Sequence, residues 1–191
     1  MKPAWTIAVG LTLGAFALAP CARAEEPLEP QLALPILLRV LPYDRAFSTR
    51  GEGTFVVLIV AQPGAGGDRD ALLRAAEALK VSSIQGRPLR FEAAEAHDVA
   101  SLREAVRKAH AGAILVPARA SNELLMALPV ILDTEHTYTL AMDPSAVERK
   151  LALLSVSNRE GRPQIWLNIE STRAMNASFD SAILRVARLI Q

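Results

Sequence analysis

The sequence predicts a single α/β domain built on a mostly parallel sheet. Three observations lead there. Residues 54–61 and 113–117 are continuously apolar and rich in β-branched side chains, as strands covered on both faces are. Segments with apolar residues every three or four positions alternate with them, which is the pattern of helices wound around such a sheet. The one cysteine, Cys21, lies near the start of the chain, so packing rather than cross-linking must hold the rest.

Residues 1–24 have the three parts of a secretory signal: Lys2, an uncharged apolar stretch from Ile7 to Ala19, and Ala22-Arg23-Ala24 as a small-x-small cleavage site. The stretch is shorter than the ~20 residues a membrane-crossing helix needs. Leu18-Ala19-Pro20-Cys21 has a faint likeness to a lipoprotein signal, but Pro20 replaces the small residue expected there. Cleavage after Ala24 is therefore the expectation, with a periplasmic location for the mature chain. The 191 residues less these 24 leave 167, enough for one domain with a sizeable core. The 21 lysines and arginines less Lys2 and Arg23 leave 19, against 20 acidic residues. That balance favours neither nucleic acid nor an anionic membrane surface.

Residues 25–30, acidic and broken by prolines, read as a flexible leader, and residues 31–191 as the domain. Over residues 31–43 the recurrence of Leu32, Ile36, Val40 and Tyr43 predicts a helix with those residues on one face. Pro35 fits if that helix starts near Leu34. The strand at 54–61 is broken by Pro63-Gly64-Ala65-Gly66-Gly67, and Asp68 is a suitable N-cap for a helix over 69–80. Gly86-Arg87-Pro88 turns into a strand at 89–93. A helix follows over 99–110, stopped by Gly112, then the strand at 113–117, and Ser121 caps a short helix over 122–128. A fourth parallel strand falls at 137–142. Residues 151–157 and 164–169 form a β-hairpin with a loop of about six residues. The last segment reads as a closing helix with Phe179, Ile183, Val186 and Ile190 on one face, capped by Asn176 or Ser178. The whole is a Rossmann-like, three-layer arrangement with a C-terminal hairpin and closing helix.

Chemistry is harder to find. Gly64, Gly66, Gly67 and Asp68 follow a strand and open a helix, where backbone N–H groups can cradle an anion. Arg69 stands where a dinucleotide fingerprint needs its last glycine, and no Lys-Ser/Thr pair follows, so a mobile turn is the simpler account. His97, His110 and His136 are scattered, and a zinc site needs three or four convergent ligands. No serine lies on a tight glycine turn. Glu92 with Glu95, and Asp133 with Glu135, lie in polar connections as solvated charge. Asn176-Ala177-Ser178 is simpler as a cap than as a glycosylation acceptor, and Trp166 simpler as packing than as a ligand platform. No catalytic or metal residue is assigned and no cofactor is expected; the expectation is a protein that is not an enzyme.

The order of several short motifs resembles the YfiR/HmsC-like periplasmic proteins. Residues 162–169, Arg-Pro-Gln-Ile-Trp-Leu-Asn-Ile, are followed by Arg173-Ala174 and then by residues 181–190, Ser-Ala-Ile-Leu-Arg-Val-Ala-Arg-Leu-Ile. They are similar to that family's closing strand, turn and helix. Residues 37–41 with Tyr43-Asp44-Arg45 resemble the helix and Tyr-Asp-Arg that open one branch. Gly86-Arg87-Pro88-Leu89 and Ile114-Leu115-Val116-Pro117 fall where its second and third strands belong. The resemblance covers roughly residues 31–191 and singles out Tyr43, Asp44, Arg45, Asn168 and Arg188 as family-motif positions. Two features depart from it: the mature chain lacks cysteines, and Asp143-Pro144-Ser145 replaces a glycine-rich turn.

The resemblance implies a regulator that binds and restrains a membrane-bound signalling protein. Its partner would be the periplasmic region of a diguanylate cyclase or histidine kinase, and its output would be lower cyclic-di-GMP signalling and biofilm formation. Homodimerisation is left open, and no membrane insertion of the mature chain is expected. The competing expectation is a small-solute binding module serving a membrane sensor or transporter. Its ligand would lie at the carboxyl ends of the parallel strands, between Gly64–Asp68 and the turn after Pro117.

Overall fold

The structure, a computed structural model, describes residues 26–51 and 53–191. The signal segment expected over residues 1–24 lies outside the described residues. Strand β1 (Glu26–Pro27) leads to helix α1 (Pro30–Val40), and two short 3-10 turns carry the chain to β2 (Phe55–Ala61). Then come α2 (Gly66–Glu77), a hairpin of β3 (Ser83–Ile84) and β4 (Arg87–Glu95), α3 (Val99–Ala109), β5 (Ala111–Val116), α4 (Asn122–Glu135) and β6 (Tyr138–Ala141). The chain closes through α5 (Ser145–Glu148), β7 (Leu154–Arg159), β8 (Arg162–Asn168), α6 (Ile169–Ala174), α7 (Ser181–Val186) and β9 (Arg188–Ile190).

The sheet runs β3-β4-β2-β5-β6-β7-β8-β9, with β1 beside β7. β4, β2, β5, β6 and β7 are mutually parallel. The fold is Rossmann-like, as the alternating pattern predicts. Every residue of β2 is buried, and its side chains alternate between two cores. Phe55, Val57 and Ile59 join Leu34, Leu37, Leu38 and Leu72 of α1 and α2. Val56, Leu58 and Val60 join Leu102, Val106, Leu124 and Leu128 of α3 and α4. The continuously apolar sequence is the direct result, since neither face of the strand meets water.

Several expectations are corrected. Residues 26–30 are not a free leader: Glu26 and Pro27 pair with Asn158 and Ser157 of β7, and Leu28 is buried. Helix α1 starts at Pro30 and contains Pro35, which leaves one carbonyl of the preceding turn without its helical partner. Its buried face is Ala33, Leu34, Leu37, Leu38 and Val40, whereas Leu32 is 58% exposed and Tyr43 40%. Asp68 lies in the first turn of α2 rather than at its N-cap, which is Ala65. Ser121 does cap α4, accepting from the N–H of Leu124 at 3.2 Å, but the helix runs on past Pro129 to Glu135.

Gly112 does not stop α3; His110 does, in the left-handed conformation, and Gly112 lies inside β5. There it is the extra residue of a bulge between the pairs Val56–Ala111 and Val57–Ala113. The hairpin loop at β7–β8 is two residues, Glu160-Gly161, both at positive φ, not six. The same turn chemistry at Gln85-Gly86 builds the β3–β4 hairpin. The closing helix ends at Val186, capped by Asp180 rather than Asn176 or Ser178. Residues 188–190 form β9, parallel to β8.

Candidate functional site

The five positions singled out by the resemblance fall into two groups. Residues Tyr43, Asp44 and Arg45 run antiparallel to Ser178, Phe179 and Asp180, tying the end of α1 to the entry of α7. Arg45 N–H donates to Ser178, and Asp180 N–H donates to Tyr43. Arg45 itself is exposed and reaches Asp180 at 3.5 Å. Asp44 is 1% exposed, and four donors converge on its carboxylate. They are the Tyr138 hydroxyl at 2.6 Å, the Arg50 Nε at 2.8 Å, and the N–H groups of Ser178 at 2.8 Å and Ala46 at 3.1 Å. Burial works to raise this carboxyl's pKa; the hydrogen bonds from Tyr138, Ser178, Arg50 and Ala46 outweigh it and hold the pKa below the ordinary value. Burial first, and the Asp44 carboxylate second, push the Tyr138 phenol well above its usual range.

Around this node Phe47, Phe55 and Tyr138 form an aromatic triad with centroids 5.1 to 6.4 Å apart. Arg50 lies over Tyr138, and Arg87 over Phe47 and Phe55. Phe55 and Tyr138 begin β2 and β6, so the cluster sits at the amino ends of the parallel strands. Its carboxylate is fully engaged, and its chemistry is that of a structural lock.

The second group closes the sheet. Asn168 is fully buried; its Oδ1 accepts from the N–H groups of Glu170 and Ser171, and its Nδ2 donates to Ser171 Oγ at 2.7 Å. Arg188 places its guanidinium 4.2 Å from the Trp166 ring centroid. Trp166 is buried and donates through Nε1 to Ser157 at 2.9 Å, which fits the packing role expected of it.

The glycine-rich turn lies where the sheet order reverses. β2 is first in the parallel set but has β4 on one side and β5 on the other, so its carboxyl end is a topological switch point. A cleft of about 270 Å³ opens there, lined among others by Leu28, Asp68, Leu72, Pro117, Arg119 and Met142. Asp68 and the residues after Pro117 therefore do share one cleft. Gly64, at φ +86°, makes the turn, and Gly66 and Gly67 belong to the first turn of α2. Gln62, just after β2, ties down the turn after Pro117: its amide donates to Arg119 O and accepts from Ser121 N–H, both at 3.2 Å.

A second, wider opening lies elsewhere. A groove of about 560 Å³ runs between the C-terminal half of α1 and the β3 edge. Pro35, Leu38, Pro42, Tyr43, Val81 and Ile84 give it apolar walls, and Arg39, Ser83 and Gln85 its polar groups. Gln85 donates through Nε2 to Pro42 O at 3.1 Å and fixes the hairpin tip against α1. Of the family-motif positions only Tyr43 reaches this groove. Of the four residues that the periodicity puts on one face, Leu32 and Tyr43 are exposed, Ile36 packs partly buried against the core and Val40 is buried.

His97, His110 and His136 are exposed, the last two as left-handed helix caps. Among the described residues no group of three His, Cys, Asp or Glu side chains is placed to hold a metal. No helix among them is long and apolar enough to cross a membrane.

No protein-family model and no curated protein matches the chain. Solved structures share its fold. A conserved domain protein from Vibrio cholerae O1 biovar eltor superposes with a TM-score of 0.56 at 16% identity, over 85% of this chain and 60% of that one. The ABC domain from Streptococcus pneumonia, solved in complex with L-Trp, superposes with a TM-score of 0.57 at 9% identity, over 85% and 62%. The chain thus spans about three fifths of the length of each.

Proposed function

We propose that this protein is a non-catalytic periplasmic regulator that binds and restrains a membrane-bound signalling protein, a diguanylate cyclase. Cyclic-di-GMP output and biofilm formation would then be what it controls. The observation that carries this reading is helix α1. One face fills the core, while on the outer side Leu32, and Tyr43 in the turn that follows, stand in water near an open groove with apolar walls. Exposed apolar side chains gathered beside an apolar groove mark an interaction surface, so the outer side asks for a partner. The ordered likeness to YfiR/HmsC-like proteins supplies the partner's class. The full engagement of Asp44 by donors that knit the fold together supports a binding role over a catalytic one.

The direct test measures cyclic-di-GMP made by a full-length membrane diguanylate cyclase of the same organism, with and without the mature chain in the periplasm. Suppression that is lost when Tyr43 is changed to Asp supports the reading. Unchanged output with the chain present counts against it.

A second reading, a small-solute binding module, is favoured by the switch-point cleft with Asp68 and Arg119 and by the L-Trp bound to the Streptococcus pneumonia domain. Thermal shifts against a panel of amino acids that includes L-Trp separate the two. A shift that disappears on changing Arg119 to Ala would favour the solute module.

A further inference from the structure

The groove beside α1 is bordered by the outermost strand of the sheet, and that strand has unused hydrogen-bonding groups. β3 pairs antiparallel with β4 through Ser83–Pro88 and Ile84–Arg87, across the two-residue Gln85-Gly86 turn. In such a hairpin the residues flanking the loop exchange both backbone bonds, and the next residue along each strand turns its groups outward. Ser82 confirms the alternation, because its carbonyl accepts from Leu89 N–H at 2.8 Å. The N–H and C=O of Ser83 therefore point away from β4. Pro88, opposite it, has no N–H to offer. Ser83 also lines the groove, with exposed Val81 two residues before it.

The other wall supplies charge. Arg39 is exposed, is the one charged residue lining the groove, and forms no ion pair with any described residue. Its neighbours there, Pro35, Leu38, Pro42 and Tyr43, are apolar or aromatic. An unpaired cation at the rim of an apolar groove is complementary to a carboxylate on an otherwise apolar ligand.

Resting on the regulatory reading above, we infer that the partner enters this groove as an extended segment. It pairs with the Ser83 backbone as an added strand, sets apolar side chains against Leu38, Pro42, Tyr43 and Val81, and brings an Asp or Glu to Arg39. Main-chain bonds of this kind supply affinity, and the pockets alongside supply specificity.

The test uses the mature chain and the soluble periplasmic region of the membrane diguanylate cyclase that it restrains in the assay above. Titration calorimetry gives the affinity, and amide hydrogen exchange is followed at Ser83. The expected result is at least tenfold slower exchange at Ser83 in the complex. Arg39→Glu should weaken binding at least tenfold, and changing one acidic residue of the partner to Lys should restore it. Val186→Asp, at the opposite end of the sheet, should leave the affinity unchanged. Ser83→Pro removes the N–H without touching an apolar wall and should also weaken binding tenfold, with circular dichroism to verify its fold. If the region binds but Arg39→Glu is silent and Ser83 exchange is unaltered, the groove assignment is overturned while the regulatory reading survives. If Arg39→Glu weakens binding and Ser83 exchange is unaltered, the extended mode is overturned in favour of a helix in the groove. If the wild-type chain does not bind the region at all, the regulatory reading fails and this inference goes with it.

Discussion

The hydroxyl of Tyr138 donates to the buried carboxylate of Asp44 at 2.6 Å, joining residues 94 positions apart. The bond anchors the end of α1 to the first residue of β6, and Ser178 N–H on the same carboxylate brings in the C-terminal segment. Three distant parts of the chain therefore share one charge.

Acid should act through that charge. Asp44 has its pKa lowered in the folded state, whereas an unfolded aspartate titrates near ~3.9. The stabilisation is therefore fully present above about pH 4 and is lost as pH falls through the lower folded-state value. Asp44→Asn should cost about 3 kcal/mol at neutral pH, the scale for breaking a buried charge pair. It should also flatten the acid limb. Urea unfolding between pH 7 and pH 3 reads both, and an acid limb unchanged in the variant would refute the assignment.

Tyr138→Phe keeps the ring in the aromatic triad and removes one donor. The expected loss is about 2 kcal/mol, as for a hydrogen bond to a charged group. With one of its supports gone, Asp44 should titrate at higher pH than in the wild type. Denaturant midpoints across the acid range check the pair of effects.

Gly112 has no room for a side chain. A Cβ there would stand 2.5 Å from Phe55 Cε2, and Phe55 is 1% exposed and packed against Phe47 and Tyr138. The ring cannot swing aside without disturbing the triad, so Gly112→Ala should cost about 2 kcal/mol through overpacking. A thermal melt that matches the wild type would show the ring to be freer than its burial implies.

Asn168 both accepts and donates in a fully buried position. Asn168→Ala loses a helix cap and strands the N–H groups of Glu170 and Ser171, for an expected cost of about 2 kcal/mol. Asn168→Asp keeps the cap but buries a charge and loses the donor to Ser171, so it should not rescue stability. Equal stability of Asn168→Asp and the wild type, by urea unfolding at pH 7, would argue against the Ser171 bond.

Gly161 sits at φ +79° in the two-residue turn between β7 and β8. Gly161→Ala places a Cβ in the left-handed region and should cost about 1 kcal/mol. Amide exchange in Val156 and Ile165 should quicken to match.

How much of this was legible follows from what each signal measures. Fully buried strands announce themselves, and 54–61 and 113–117 were found because both faces of each strand are covered. Periodicity can only choose a helix face when one side is polar. In α1, Leu32, Leu34, Ile36, Leu37, Leu38 and Val40 leave little polar surface, so the spacing that groups Leu32, Ile36, Val40 and Tyr43 does not say which of them meet water. β9 was missed because a three-residue strand carries almost no pattern, and Leu189 and Ile190 continue the helical spacing of Ile183 and Val186. The buried state of Asp44 depends on Tyr138 and Ser178, and nothing local to residue 44 encodes that meeting. The cleft at the switch point was legible in outline, since topology alone brings Asp68 towards the turn after Pro117.

The shared carboxylate has a consequence for biogenesis. A chain delivered amino end first, from a ribosome or through a translocation pore, presents Asp44 long before Tyr138, and Ser178 later still. Until those donors emerge, a charge destined for the interior must stay in solvent, and the end of α1 stays unfastened with it. Non-local closure of this kind is slow and leaves apolar surface waiting. Early emergence of α1 thus leaves its core face uncovered until the carboxyl-terminal half of the chain arrives.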